Sequence, residues 1–377
     1  MPPDNFFLLG PRGAGKSTWL QHEFPKAEYV NLLLPDLEQR LRTNPSELET
    51  LAVSLPPDST LILDEIQRVP TLLPLVHDLI ERRLAVRFVL TGSSIRKLRR
   101  ANIDLLGGRA VLRLMFPFVA SELGAQFSIE RALQFGLMPS VWTSITPADR
   151  LKSFVSAYLR EEVLMEGFVR RLGDFHRFAE VASFYQGQQF NTSEVTRQAQ
   201  VSRKTADGYL QILYDLLLAF ELPVFTRRGQ RPLVSHPKFF YFDCGVYRVL
   251  RPSGPLDEVT DVEGPALETL VAQHLQFWVA RQSETCQFAY WRTRSGLEVD
   301  FVVYGPKGFW ALDVANSTHI SRSDLKGLKA FKEDYPECTP ALLHMGKTRS
   351  VIDGIQCMPV DEFLLGVTPA QPLLQSS

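Results

Sequence analysis

A stretch near the start of the chain, FFLLGPRGAGKSTWL, leaves few folds open. Phe6 to Leu9 is a continuous apolar run, the pattern of a strand buried on both faces of a parallel sheet. Gly10 to Ser17 fills every fixed position of G-x-x-x-x-G-K-[ST], and Ser17 opens a helix-compatible segment. Gly10, Gly13 and Gly15 permit backbone angles that aim successive N–H groups at one point, and the helix N-terminus adds its positive end. Such a loop cradles phosphates. The expected contacts come from Gly10, Pro11, Arg12, Gly13, Ala14, Gly15, Lys16, Ser17 and Thr18. Lys16 is placed to reach the β- and γ-phosphates and Ser17 to ligate Mg2+. A chance glycine-rich loop would share the spacing, but it has no reason to sit between a strand and a helix.

Two further apolar runs end in polar groups suited to the same chemistry. In STLILDEIQRV, Thr60 to Leu63 reads as a buried strand that ends in Asp64 and Glu65. Asp64 is suited to hold Mg2+ through water, and Glu65 to position and deprotonate an attacking water. An acid pair after a strand is often only a solvated turn; paired with the loop above it supports hydrolysis. In VRFVLTGSSIRKL, the strand Val86 to Leu90 leads to Thr91, Ser93 and Ser94, a place for a γ-phosphate sensor or simply for a helix cap. In LLGGRAVLRLMFPF, Arg109 stands just before a strand over Val111 to Leu114. It is either an arginine that enters a neighbouring site or a surface residue at a helix C-terminus. There is no N-K-x-D run for guanine, and new domains follow where a small-molecule kinase would carry a lid and acceptor pocket.

The chain has 377 residues, room for two or three domains, with 45% hydrophobic and 22% charged residues and a net charge of -1. A folded protein without a global basic field is expected. The four cysteines lie far apart with no C-x-x-C, which argues against a zinc site or a disulfide framework. No run approaches the length of a membrane span, and MPPDNFFLLG lacks a basic leader region, so a cytoplasmic protein is expected.

GPRGAGKS, LDEIQRVP, LTGSS and GGRAVLRLMFPF, in this order, resemble the AAA-type ATPases of the bacterial and archaeal family that carries a C-terminal domain of unknown function 4143. The resemblance runs over nearly the whole chain. It implies an AAA+ sheet, ATP with Mg2+, and sites at subunit interfaces, hence a homo-oligomer. It also implies the sensor role for Ser93 or Ser94, with Ser94 as the candidate, and supports Arg109 as the finger.

From Pro139 to about Leu222 the pattern is helical. Leu151, Phe154, Val155, Tyr158, Leu159 and Val163 follow i, i+3, i+4 spacing. NTSEVTRQAQVSRKTADGYLQILYDLLLAFEL reads as helix, turn, helix, with Ser193 and Ser202 as candidate N-caps. Val201, Tyr209, Leu210 and Leu213 are expected to pack inward, and Arg203 and Lys204 stand where a reader of DNA needs charge. The segment after it, rich in Arg227, Arg228 and Arg231, is expected to form a wing. Such units also serve as protein packing modules, so DNA and protein partners both stay open. Asp243 in FYFDCGVYRVL is a motif position whose plain explanation is a cap on the following turn.

The last third places Glu268 on an amphipathic helix and Asp300 and Asp313 in two apolar strands. The order resembles the restriction-endonuclease-like fold, in which three acids hold Mg2+ and a lysine two residues after the last acid orients water. Here that position holds Ala315. Three carboxylates brought together need a metal, a proton or a basic partner. Lys326, Lys329 and Lys332 on one helix are either a substitute that reaches in from another element or, the expected reading, a solvated face, and Arg292 and Arg294 are the alternative candidates to neutralise the acids. The expectation is a nuclease-like fold that does not work as a nuclease.

The reading is therefore an α/β protein. Residues 1–138 form a P-loop AAA+ parallel-sheet domain, 139–255 a helical and winged-helix-like region, 256–368 a nuclease-like domain and 369–377 a disordered tail. The expected activity is Mg-ATP hydrolysis by Lys16, Ser17, Asp64 and Glu65, which rearranges the later domains. The rivals are a nucleotide-gated switch with little turnover and a DNA-processing nuclease-ATPase.

Overall fold

The computed structural model describes residues 4–93, 108–158, 172–227 and 231–374. The chain divides into two compact units, Met1–Pro117 with Ile212–Leu218, and Phe118–Gln211 with Ala219–Ser377. The helical middle segment, apart from Ile212–Leu218, and the C-terminal segment belong to the second unit.

The first unit is built on β1 (Phe6–Leu9), β2 (Glu28–Asn31), β3 (Ser59–Asp64), β4 (Val86–Gly92) and β5 (Val111–Leu114). They form one parallel sheet in the order β2-β3-β4-β1-β5. The apolar runs are continuous because both faces are covered. Phe7, Leu9, Leu61, Leu63, Phe88 and Leu90 point to a core shared with Leu41, Leu48 and Val76. Those residues come from α2 (Pro35–Thr43), α3 (Ser46–Ser54) and α4 (Leu72–Glu81). Phe6, Leu8, Ile62 and Val89 point the other way, onto Leu20 and Phe24 at and after α1 (Lys16–Glu23). The loop between β1 and α1 thus leaves the C-terminal edge of the sheet beside the ends of β3 and β4.

The second unit holds α5 (Ile129–Phe135), α6 (Leu172–Ser183), α7 (Thr192–Ala199), α8 (Arg203–Asp215, its last turn from Ile212 on counted with the first unit) and α9 (Cys244–Leu250), together with a small sheet. It holds β6 (Gln188–Gln189), β7 (Ala219–Leu222) and β8 (Lys238–Tyr241) in the order β6-β8-β7. The helix-turn-helix spacing is present, with Gln200 left-handed at φ 55 in the turn. Val195, Ala199, Ala206, Tyr209 and Leu213 are buried, and Val201 and Leu210 are half-buried. Ser202 caps α8 by accepting from Thr205 N at 3.2 Å. The cap of α7 is Asn191 rather than Ser193, because the asparagine oxygen accepts from both Ser193 N and Glu194 N. Leu151 and Val155 are buried as the periodicity predicts; Leu159, Val163 and Arg228 lie outside the described residues.

The C-terminal sheet holds β9 (Gln287–Arg292), β10 (Glu298–Gly305), β11 (Gly308–Ala315), β12 (Thr339–His344), β13 (Ser350–Ile352) and β14 (Ile355–Pro359). Its order is β13-β14-β12-β11-β10-β9, antiparallel from β9 to β11 and parallel from β11 through β12 to β14. The helices α10 (Val259–Ala280), α11 (Lys326–Asp334) and α12 (Val360–Gly366) complete the unit.

Two expectations change here. The segment read as a free wing lies along β9: Phe225 N donates to Tyr290 O at 2.7 Å and Val234 N to Arg292 O at 3.1 Å. Arg231 is spent on Glu333 and Asp334, and Arg227 stacks on Tyr304, so these two arginines serve internal contacts. An uncovered β9 would present unpaired N–H and C=O groups, and this segment covers them. The tail does not fray at residue 369 either. Trp278 Nε1 donates to Gln371 O at 2.9 Å, Lys307 Nζ to Pro369 O at 2.9 Å, and Leu373 and Leu374 are buried.

Candidate functional site

The loop from Gly10 to Gly15 takes the shape its glycines allow. Gly13 and Gly15 are left-handed at φ 80 and φ 91. A Cβ at Gly10 would stand 2.5 Å from Met115 O, so only glycine fits there. Lys16 is 5% exposed and curls back, with Nζ donating to Gly10 O at 2.8 Å and Pro11 O at 3.2 Å. Pro11 and Ala14 are buried, Gly13, Gly15 and Ser17 are half-buried, and Arg12 and Thr18 are exposed.

Asp64 is 2% exposed at the end of β3 and gathers three hydroxyls. Ser17 Oγ donates to its Oδ2 at 2.9 Å, Tyr29 OH to the same oxygen and Thr91 Oγ1 to Oδ1. Burial and the Asp64 carboxylate hold the Tyr29 hydroxyl well above the ordinary tyrosine pKa, so it stays a donor. A hydroxyl beside a carboxylate is a hard-oxygen donor set of the kind Mg2+ takes, so Ser17 and Asp64 fit that ion.

Glu65 is left-handed at φ 60, a conformation that costs a non-glycine residue about 1–3 kcal/mol. Its N–H donates to Thr91 Oγ1 at 3.0 Å, which fixes the turn. Its carboxylate accepts from Gln67 Nε2 and from Ser93 Oγ at 3.3 Å, and stands 4.0 Å from Lys16 Nζ. Gln67 also donates to Ser93 Oγ at 3.0 Å. The loop, Lys16, Ser17, Asp64, Glu65 and Ser93 therefore meet in one place. Ser94 lies outside the described residues.

Tyr29 and Gln67 are residues of this cluster that motif reading gives no role, and Thr91, read as a place for a sensor, instead bonds Asp64 and Glu65 N. Tyr29 carries no local signal, since a tyrosine in a short strand is ordinary. Gln67 stands two residues after Glu65 in LDEIQRVP, a position that becomes meaningful only once the backbone turns at Glu65. Arg109 is elsewhere. It precedes β5, which runs parallel to β1 with Phe6 opposite Val111, so it lies at the sheet edge away from its own loop. There it is 41% exposed and pairs with Glu81.

The acids of the second unit form a separate cluster. Asp300 N donates to Asp313 Oδ1 at 2.9 Å, and Val314 N to Asp300 Oδ2 at 3.0 Å. The basic partner is Lys238, the first residue of β8, 2% exposed. Its Nζ lies 2.5 Å from Glu298 Oε1, 3.3 Å from Asp300 Oδ1 and 5.3 Å from the Tyr290 ring centre. Burial opposes the ammonium charge, but Asp300, Glu268 and Glu298 outweigh it and raise the Lys238 pKa. Burial and Asp300 push Glu268 up to about 8, and burial also raises Asp300 and Asp313. Arg292 Nη1 meets Glu298 Oε2 at 3.0 Å. Arg294 turns to Leu233 O at 3.4 Å, so of the two arginines Arg292 is the one beside the acids. Lys326 and Lys332 are exposed and Lys329 pairs with Asp353, as a solvated helix face requires. Among the described residues, no group of three His, Cys, Asp or Glu side chains is arranged to hold a metal ion.

Asp243 is fully buried, and its role is the cap expected plus one further bond. Oδ1 accepts from Gly245 N at 2.9 Å and Val246 N at 3.1 Å, and Oδ2 from Leu137 N at 2.8 Å.

Comparison with known proteins gives three successive family matches. Residues 3–124 match an AAA domain, 126–257 a domain of unknown function (DUF8612) and 263–363 a domain of unknown function (DUF4143). Uncharacterized proteins of Mycobacterium tuberculosis and Mycobacterium bovis are each 27% identical over 372 residues, covering 95% of this chain and 80% of theirs. A crystal structure of a Vibrio cholerae protein aligns over 95% of this chain and 94% of its own at 10% identity, with a TM-score of 0.22, too low to support any argument. No helix among the described residues is long and apolar enough to cross a membrane.

Proposed function

From a chain that joins an AAA domain to a DUF4143 domain, we propose that the protein binds ATP on the Gly10–Thr18 loop and hydrolyses it. The observation that carries the reading is the contact of Ser17 with Asp64 at 2.9 Å, with Glu65 next in the chain and 4.0 Å from Lys16. Lys16 exchanges the Gly10 and Pro11 carbonyls for phosphate oxygens, and the loop N–H groups and the N-terminus of α1 receive the remaining charge. Ser17 and Asp64 would hold Mg2+, which neutralises phosphate charge when bound. Glu65 takes the proton of the attacking water, a role worth about 10²–10⁴ in rate. Ser93 and Gln67 hold the Glu65 carboxylate in the resting arrangement. Ser94 follows Ser93 directly and is assigned with it to sensing the γ-phosphate.

Arg109 faces away from its own loop, which supports a role on the site of a second copy. Charge stabilisation in trans is worth about 10³–10⁵. ATP turnover then rearranges the helix-turn-helix segment and the C-terminal domain around a DNA or protein partner. A second reading, a gated switch with slow turnover, draws support from Lys16 and Glu65 both being engaged internally. Binding of a fluorescent ATP analogue tests the site: Lys16→Ala is expected to abolish or greatly weaken it, and unchanged affinity rejects the assignment.

A further inference from the structure

The acids of the C-terminal sheet have their cation built in. Asp300 and Asp313 stand opposite each other, one step beyond the Phe301–Leu312 pair of β10 and β11. Like charges in that position destabilise an antiparallel pair unless something offsets them. Glu298 lies two residues before Asp300 on the same strand face, so a third carboxylate joins them. A fourth, Glu268, approaches from α10, and a Cβ at Gly187 would stand 2.7 Å from its Oε2.

The carboxylate oxygens are largely committed. Asp300 gives one to Lys238 and one to Val314 N; Glu298 gives one to Lys238 and one to Arg292; Asp313 gives one to Asp300 N. We infer that the Lys238 ammonium takes the place of a divalent cation in this acid set, so that the domain binds no metal there and the site instead fastens β8 to β10. The residues therefore do not fit the Mg2+ that a nuclease-like reading would require, and Ala315 is consistent with that: no lysine is needed to orient water where no water is activated. The lysine comes from a different element, the start of β8. It is shielded by the Tyr290 ring, whose hydroxyl receives Gln189 Nε2 at 2.9 Å. A cation on a lysine stem cannot leave, so a positive charge stays beside the acids at any metal concentration.

The test is a Mn2+ titration of the full, EDTA-treated chain without nucleotide, read by loss of the free-ion electron paramagnetic resonance signal. The curves of the unchanged protein and of Asp313→Asn are expected to superimpose. A stoichiometry that falls by one ion per chain in Asp313→Asn overturns the inference. Thermal melts of Lys238→Met give a second readout that survives poor folding of the first variant. That protein is expected to melt lower and to regain part of the loss with added Mn2+. A Mn2+-induced rise as large in the unchanged protein as in the variant overturns the inference as well.

Discussion

Asp243→Ala should be among the most damaging single changes in the second unit, and the structure sets its size. The carboxylate is fully buried and accepts from three backbone N–H groups, Leu137, Gly245 and Val246. Loss of the cap on α9 costs about 0.5–2 kcal/mol. Leaving Leu137 N without an acceptor adds about 1–3 kcal/mol, since a buried donor loses its whole solvation. Water has little room to substitute. A Cβ at Gly245 would stand 2.2 Å from Phe135 O, so α5 and α9 nearly touch. The expected loss is about 2–5 kcal/mol. Asp243→Asn keeps an oxygen for the cap but sets an amide N–H against the Leu137 N–H, two donors face to face, so it should recover at most the cap contribution. Burial pushes the Asp243 carboxyl up to about 6, so urea unfolding followed by near-ultraviolet circular dichroism is best run at pH 8. A drop of about 3 kcal/mol lowers the midpoint by roughly 1 M or more, at slopes of about 1–3 kcal/mol per M. Unchanged midpoints in Asp243→Ala would refute the reasoning.

His274 makes stability depend on pH. Its Nε2 accepts from Ala120 N at 2.8 Å, so the ring is neutral with its proton on Nδ1, facing Leu270 O at 2.7 Å. Burial lowers its pKa from 6.5 to about 4, so the unfolded chain binds the proton first and stability falls as pH drops from about 6.5 toward 4, by about 3 kcal/mol. His274→Gln should flatten that part of the stability–pH curve, and an unchanged slope would remove His274 as its cause. If Arg109 acts in trans, ATP turnover per subunit should rise with protein concentration. Arg109→Ala should then lose about 10³-fold or more, and wild-type turnover in that variant would return Arg109 to its surface pair with Glu81.

Much of the first unit was legible because its signals are local. Phe6 to Leu9 and Val111 to Leu114 became strands with the bounds their apolar runs suggest, and Lys16, Ser17, Asp64 and Glu65 met because parallel strands end at one edge. What escaped was contact across distance. Lys238 opens the run KFFY and looks like a strand-end charge, yet it meets Asp300 sixty-two positions later in the chain. Tyr29 reaches Asp64 across neighbouring strands, and the arginine-rich segment after β7 reads as a free wing until β9 offers it an edge. No local period encodes such pairings. The polar residues that form them look like solvated ones until the register is known.

The central claim, hydrolysis at the Lys16–Asp64–Glu65 site, is tested most directly by ATP turnover of Glu65→Gln beside the unchanged chain, with Mg2+ and with nucleotide binding measured on the same samples. The account predicts measurable turnover in the unchanged chain and retained ATP binding in the variant, with turnover reduced by about 10²–10⁴. Equal turnover in the two proteins would contradict it and remove Glu65 from the mechanism.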